Sequence, residues 1–445
     1  MVKVTAFTSA KLLLNQKTLI LESTKQYITT GKHSLIIFIG NNMSQDVGSN
    51  LLAQRIHDMS EAATLKMAQA ARELSSQGHN VISLSIGEPD FDTPQYIKDF
   101  AIEALNEGYT SYSPVPGISI LRNAICTKFK RDNNLEFSEE NILVSNGAKQ
   151  AIVNACQALI NPGDEVVLPA PFWVSYEEII KQCGGIPVIV ETTIETDFKL
   201  TAQQLSDAIN EKTKLFLFSN PCNPTGSVYS DNELMSLAEV IAKTDKVCVI
   251  SDEIYEYINF TGNHTSIGSF NCIKERTATI NGFSKGFAMT GWRLGYMGAP
   301  AWLTKACAKI QGNVTSGACH FSQVAAAKTL LADLQPTIDM KNTYLRRRDL
   351  VIEHLSNIDG LKVNKPEGAF YIFPDASFYI GKSTNNVTIN TISDLCEFLL
   401  ADEHVAVVPG AAFGDEKCFR ISFATSDELL VEAMNRIKTS LSKLN

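Results

Sequence analysis

Short apolar runs alternate with stretches of helical period along most of the chain. The runs fall at residues 142–145, 165–170, 186–191, 214–220, 246–252, 277–283 and 293–299. Such alternation predicts an α/β fold: a large domain whose mostly parallel, seven-stranded sheet is covered by helices. Ahead of it, residues 61–79 have an amphipathic helical pattern, with Ala63, Leu65, Met67, Ala70 and Leu74 near one face and Gly78 as a stop. Beyond about residue 320 the pattern changes to long helices, notably 337–357, with strand-like 369–373, 405–408 and 419–424. This predicts a smaller α+β domain. The expected division is therefore a segment at 50–90 packing with the small domain, a large domain at 91–320 and a small one at 321–445. A cleft between domains is where ligands usually sit.

Composition narrows the function. A formal charge of -9 lacks the basic face that nucleic acid or an anionic membrane surface requires. No apolar run approaches the roughly 20 residues of a membrane helix. The ten cysteines lie far apart, with no C-x-x-C and no metal-ligand spacing, which points to a reducing, cytoplasmic setting and to no metal. Residues 1–42 hold five lysines, no arginine and one acid, Glu22. That composition faintly resembles an organellar transit peptide, and an extension ahead of the folded protein is the other reading.

In open parallel sheets ligands bind beyond the carboxyl ends of the strands, so candidate chemistry is sought just after each apolar run. After 142–145 comes Ser145-Asn146-Gly147-Ala148-Lys149-Gln150, where small residues at a helix start leave amides free for a phosphate. Taken alone, the motif reads first as an ordinary N-cap with a glycine turn. After 214–220 comes Asn220-Pro221-Cys222-Asn223-Pro224-Thr225-Gly226, whose two Asn-Pro steps hold Asn223 in a fixed place. The run at 246–252 ends in Asp252-Glu253-Ile254-Tyr255, in which Asp252 is either a working carboxylate or a helix cap.

Lys285 stands among apolar and small residues in Gly282-Phe283-Ser284-Lys285-Gly286-Phe287, with Ser284 and Arg293 as anion partners. A lysine removed from water loses its preference for the ammonium form, which frees the amine for carbonyl chemistry. Arg420 sits inside the alternating Phe419-Arg420-Ile421-Ser422-Phe423, where a half-buried guanidinium needs a carboxylate or a phosphate.

Together these residues resemble the aspartate-type (class I) aminotransferases of fold type I, in the branch of the bacterial-type aspartate aminotransferases. The likeness spans about residues 50–440. It rests on N-P-x-N-P-T-G, then S-D-E-I-Y, then S-K with an arginine eight residues beyond the lysine, in that order. The resemblance implies pyridoxal 5'-phosphate as cofactor, amino acids and 2-oxo acids as substrates, and a homodimer with shared active sites. Lys285 would hold the cofactor as an imine and then serve as base. Asp252 would pair with the pyridinium nitrogen, Asn223 and Tyr255 with the phenolic oxygen, and Trp173 would stack on the ring. The phosphate would be held around Ala148 and Lys149, by Ser284 and Arg293, and by Tyr112 from the neighbouring subunit. Gly87, Trp173 and Asn223 would line the substrate, Arg420 would grip its α-carboxylate, and Phe370 would close over it.

Lys149, helped by Thr64, would contact a side-chain carboxylate, making aspartate and glutamate the expected pair; a solvated lysine on the first helical turn is the alternative. Prephenate or a broad aromatic range is the runner-up activity. Ser60 stands where some prephenate-using relatives carry a basic residue. A non-catalytic regulator on the same fold is disfavoured, because residues 1–60 show no helix-turn-helix pattern and no basic cluster.

Overall fold

The computed structural model describes residues 51–57, 59 and 65–445 with their side chains, and the backbone of Ala63, Thr64 and five short strands between Val2 and Ile37. It forms two compact units, Met1–Ser60 and Glu61–Asn445. In the first, Val2–Ala6 pairs with Lys11–Leu14 and Thr18–Glu22, and Lys25–Thr30 and His33–Ile37 extend the sheet.

The second unit holds a seven-stranded sheet made of β1 (Ile142–Ser145), β2 (Glu165–Ala170), β3 (Ile186–Glu191), β4 (Thr213–Ser219), β5 (Cys248–Asp252), β6 (Thr277–Gly282) and β7 (Gly295–Gly298). Its order is β1-β7-β6-β5-β4-β2-β3, with β7 antiparallel to both neighbours and the remaining pairs parallel. Each strand coincides with an apolar run of the sequence. The reason is visible in the packing, since successive residues enter different cores. Val166, Leu168, Leu215, Leu217 and Ile250 bury on one face, and Val167, Phe216, Phe218 and Val249 on the other. A strand covered on both sides is mostly apolar, and the polar side chains it does carry, such as Thr279 and Asn281 of β6, are buried with it.

Helices α1 (Ala63–Ser76), α2 (Gln95–Asn106), α3 (Ser119–Asn133) and α4 (Ala148–Leu159) follow the helical periods of the first half. Met67 and Ala71 of α1 enter a core with Met340, Tyr344 and Val351 of helix Gln335–Leu355 and with Phe419, Ile421 and Leu430. Strand Ile82–Ser83 pairs in parallel with Val405–Ala406. Helix His320–Leu331 packs on α2 and α3 through Val324, Ala326, Ala327 and Leu330.

The expected strand at 369–373 is only Tyr371–Ile372. Ala369, at φ 56°, is left-handed, and such a residue cannot continue a pleated strand. The run at 405–408 is also divided: Val405–Ala406 pairs with Ile82–Ser83, whereas Val408–Pro409 pairs with Phe419–Ser422.

The turn from β1 into α4 lies directly against β7. A Cβ on Gly295 would overlap the backbone amide of Ala148, and one on Gly147, which has φ 86°, would stand 2.6 Å from Arg293 Nη2. Gly295→Ala should therefore destabilise the protein by about 2 kcal/mol, because backbone atoms cannot step aside as a side chain can. Chemical denaturation checks this, and an unchanged midpoint would show that the turn yields freely.

Candidate active site

A cavity of about 470 Å³ opens at the carboxyl ends of the strands. Ala148 and Lys149 enter it after β1, Trp173 and Tyr176 after β2, Ser219 and Asn223 at the end of β4, Asp252 and Tyr255 at the end of β5, and Ser284 and Lys285 after β6. Arg293, Gly87, Tyr371 and Arg420 also line it, as does Arg72. Residues more than 300 positions apart thus meet, because each strand end delivers its side chains to one edge of the sheet.

The Lys285 amine donates to the carbonyl of Gly87 at 2.5 Å and lies 5.9 Å from the Tyr255 ring centroid. Its pKa is lowered to about 8, chiefly by burial, with Arg420 and Arg293 adding to the effect and Glu88 and Asp252 opposing it. A substantial minority of the amine is therefore neutral at physiological pH, far more than for a solvated lysine, as a nucleophile or base requires.

Asp252 Oδ2 accepts from the Tyr176 hydroxyl at 2.6 Å, and Oδ1 accepts from the Ile254 amide at 3.2 Å. Burial nevertheless raises its pKa to about 6, since these two hydrogen bonds only partly replace water. The Tyr255 hydroxyl is 2.8 Å from that of Tyr371, and burial holds its proton well above the ordinary tyrosine range.

Arg420 is 3% exposed, and its guanidinium donates to Asn223 Oδ1 at 3.0 Å and to the Ser85 carbonyl at 2.7 Å. Its plane lies over the Tyr371 ring at 4.4 Å, and Nε has no partner. No carboxylate pairs with it among the described residues. A buried cation held only by neutral acceptors is a site waiting for an anion. Lys149 Nζ stands 4.7 Å over the Trp173 ring, with its pKa lowered by burial and by Arg293.

Two expected residues lie elsewhere. Tyr112 is fully exposed, outside the cavity. Phe370 is fully buried in the core, and the neighbouring Tyr371 faces the cavity instead. The side chains of Thr64 and Ser60 lie outside the described residues. Sequence reasoning missed Tyr176 and Tyr371. For Tyr176 a signal existed, since it stands one helical turn beyond Trp173 and so shares its face.

The residues present fit pyridoxal phosphate. Arg293 donates only to the Thr290 carbonyl, so a cation beside the amino end of α4 is free to meet a phosphate, and Lys149, which it repels, is a second cation in the same cavity. Asp252, strained by burial, would be relieved by a protonated ring nitrogen. A desolvated lysine, a buried acid and an anion cradle at the strand ends of this sheet define a pyridoxal-phosphate-dependent enzyme of fold type I.

Comparison with known proteins gives the family. The sequence family described as aminotransferase class I and II matches residues 79–437. The probable aspartate/prephenate aminotransferase of Rhizobium leguminosarum is 45% identical over 391 residues, 87% of this chain and 98% of that protein. The bifunctional aspartate aminotransferase and glutamate/aspartate-prephenate aminotransferase of Petunia hybrida is 44% identical over 395 residues, covering 88% and 82%. Among solved structures, the aspartate aminotransferase of Rhizobium meliloti superposes with a TM-score of 0.86 at 40% identity, covering 88% of this chain and 99% of that one. That of Thermus thermophilus with maleate gives 0.82 at 38%, covering 87% and 99%. The chain belongs to the class I and II aminotransferases. It is an enzyme that uses pyridoxal phosphate, with amino acids and 2-oxo acids as substrates.

The raised pKa of Asp252 makes a signed prediction for the cofactor-free protein. Folded Asp252 binds its proton more tightly than the unfolded chain does, so its contribution to stability is full below about pH 4 and is lost as pH rises through about 6. Denaturant melts should show wild type losing on the order of 2 kcal/mol relative to Asp252→Asn across that window. Parallel pH profiles for the two proteins would contradict the burial account.

Proposed function

We propose that the enzyme transfers the amino group between L-aspartate and 2-oxoglutarate, giving oxaloacetate and L-glutamate. One observation carries this reading: the same cavity holds Arg420, a buried guanidinium with no carboxylate partner, and a second cation, Lys149. An α-carboxylate fits the fork of Arg420, and a side-chain carboxylate fits Lys149. Maleate, named with the Thermus thermophilus structure, is likewise a dicarboxylate.

In this reading the Ala148 amide, Ser284 and Arg293 hold the cofactor's phosphate, Asp252 its ring nitrogen, and Asn223 and Tyr255 its phenolic oxygen. Trp173 covers the ring face. Pyridoxal phosphate, when bound, supplies a ring that stabilises negative charge at the substrate α-carbon. Asp252 keeps the ring nitrogen protonated by remaining a carboxylate beside it. The Lys285 amine would remove the proton from the substrate α-carbon and return it, across the intervening nitrogen, to the carbon on its far side, two positions that one flexible side chain can serve. Tyr371 orients Tyr255 through their shared hydrogen bond. Tyr176 does the same for Asp252.

Tyr112, exposed on its own chain, reaches the phosphate of a second copy, so the working form is a homodimer. The reading divides the folded chain into a large domain at 91–320 and a small one at 321–445. It also places the enzyme in the cytoplasm, in keeping with ten free cysteines. Among the described residues no helix is long and apolar enough to cross a membrane. Prephenate is a second acceptor to test, favoured by the names of the Petunia and Rhizobium leguminosarum relatives.

Lys149→Ala should raise KM for aspartate at least tenfold, about 1.4 kcal/mol, and leave alanine as donor nearly unchanged. Arg420→Ala should weaken every donor, because every amino acid carries an α-carboxylate. Steady-state kinetics with both donors separates the two cations. Equal losses for aspartate and alanine in Lys149→Ala would sink the dicarboxylate assignment.

A further inference from the structure

Behind the cavity wall, facing away from the ligand, lies a second group of buried charges. The turn after β5 sends Asp252 and Tyr255 into the cavity and Glu253 and Glu256 to the opposite side, where they are 0% and 7% exposed. Glu253 Oε1 accepts from the Ser251 hydroxyl at 2.8 Å, and Oε2 accepts from the Ser266 hydroxyl at 2.5 Å and lies 2.9 Å from His264 Nε2. Glu256 Oε2 accepts from Asn133 Nδ2 at 2.8 Å, and its other oxygen forms an ion pair with Lys128, which is fully buried. The Lys128 ammonium also donates to Asn133 Oδ1 at 2.5 Å, so the last turns of α3 grip both ends of the Glu256 side chain.

We propose that Lys128, Asn133 and His264 are positioning residues for the amino-transfer site, which clamp Glu253 and Glu256 and thereby fix the turn that carries Asp252 and Tyr255. Two carboxylates face one ammonium and one imidazole, so the cluster is neutral when His264 is protonated. Contact with Glu253 raises the affinity of His264 for its proton despite burial, and Glu256 adds to the effect while Lys128 opposes it. The electrostatic link to the site runs through Glu253, whose charge raises the pKa of Asp252. Glu253, Glu256 and His264 could together offer ligand atoms to a cation, but the Lys128 ammonium already stands against Glu256. The cluster's positive charge is built in.

The test uses the cofactor-loaded enzyme and follows the pH midpoint of its visible absorbance, a quantity that a purely structural residue does not move. Removing the positive charge with His264→Gln should raise that midpoint by about half a unit, and Glu253→Gln should lower it by about the same amount. The paired variant loses one charge of each sign. It should melt close to wild type with the wild-type midpoint, yet lose about threefold or more in kcat at unchanged KM, because the grip is gone. If either single variant fails to fold, the paired variant decides. Midpoints that stay in place or move in the same direction, or a paired variant with wild-type kcat, would overturn the proposal.

Discussion

The amine of Lys285 sits where water cannot fully solvate its charge, and the carboxyl group of Asp252 shares that environment. Burial pushes the two in opposite directions, the amine down to about 8 and the acid up to about 6. Both shifts act against the charged form, as desolvation demands. A ligand with an electrophilic carbon and a protonated ring nitrogen answers both at once. The remainder of the cavity follows from keeping this environment dry and its geometry fixed.

Keeping it fixed requires the C-terminal part of the chain. Arg420 bonds to Asn223, and Tyr371 bonds to Tyr255, so strands packed in the core with Met67 and Leu430 reach over to residues at the ends of β4 and β5. Arg420 is the costly member. Its guanidinium loses water and receives two neutral acceptors and the rings of Tyr371 and Phe413 in return. Packing elsewhere must offset that cost, and a bound carboxylate removes it. In the proposed reading, a substrate carboxylate would complete this unpaired cation.

Much of this was legible in the sequence, for a physical reason. A strand buried on both faces is mostly apolar, so its end shows where the apolar run gives way, and in a parallel sheet that end faces the ligand site. Asp252 closes β5, and Asn223 and Lys285 follow within a few residues of the ends of β4 and β6, so all three are visible in this way. Tyr371 was not, because a two-residue strand following left-handed Ala369 carries no alternation from which to tell its inward face, and the resemblance pointed to Phe370 instead. Tyr176 belongs to a helix whose face could be read only once Trp173 was placed. The Lys128 cluster was hidden for another reason. Lys128 lies in a helix with ordinary polar neighbours, and nothing local distinguishes a buried lysine from a solvated one when its partner is 128 positions away.

Locating the cofactor's attachment point bears most directly on the account. The loaded enzyme is reduced with borohydride, which converts an imine into a stable amine, then digested, and the modified peptide is sequenced by mass spectrometry. The account predicts a single modified lysine, Lys285, and no attachment in Lys285→Ala. Modification at Lys149 instead, or undiminished trapping in the Lys285→Ala protein, would contradict it.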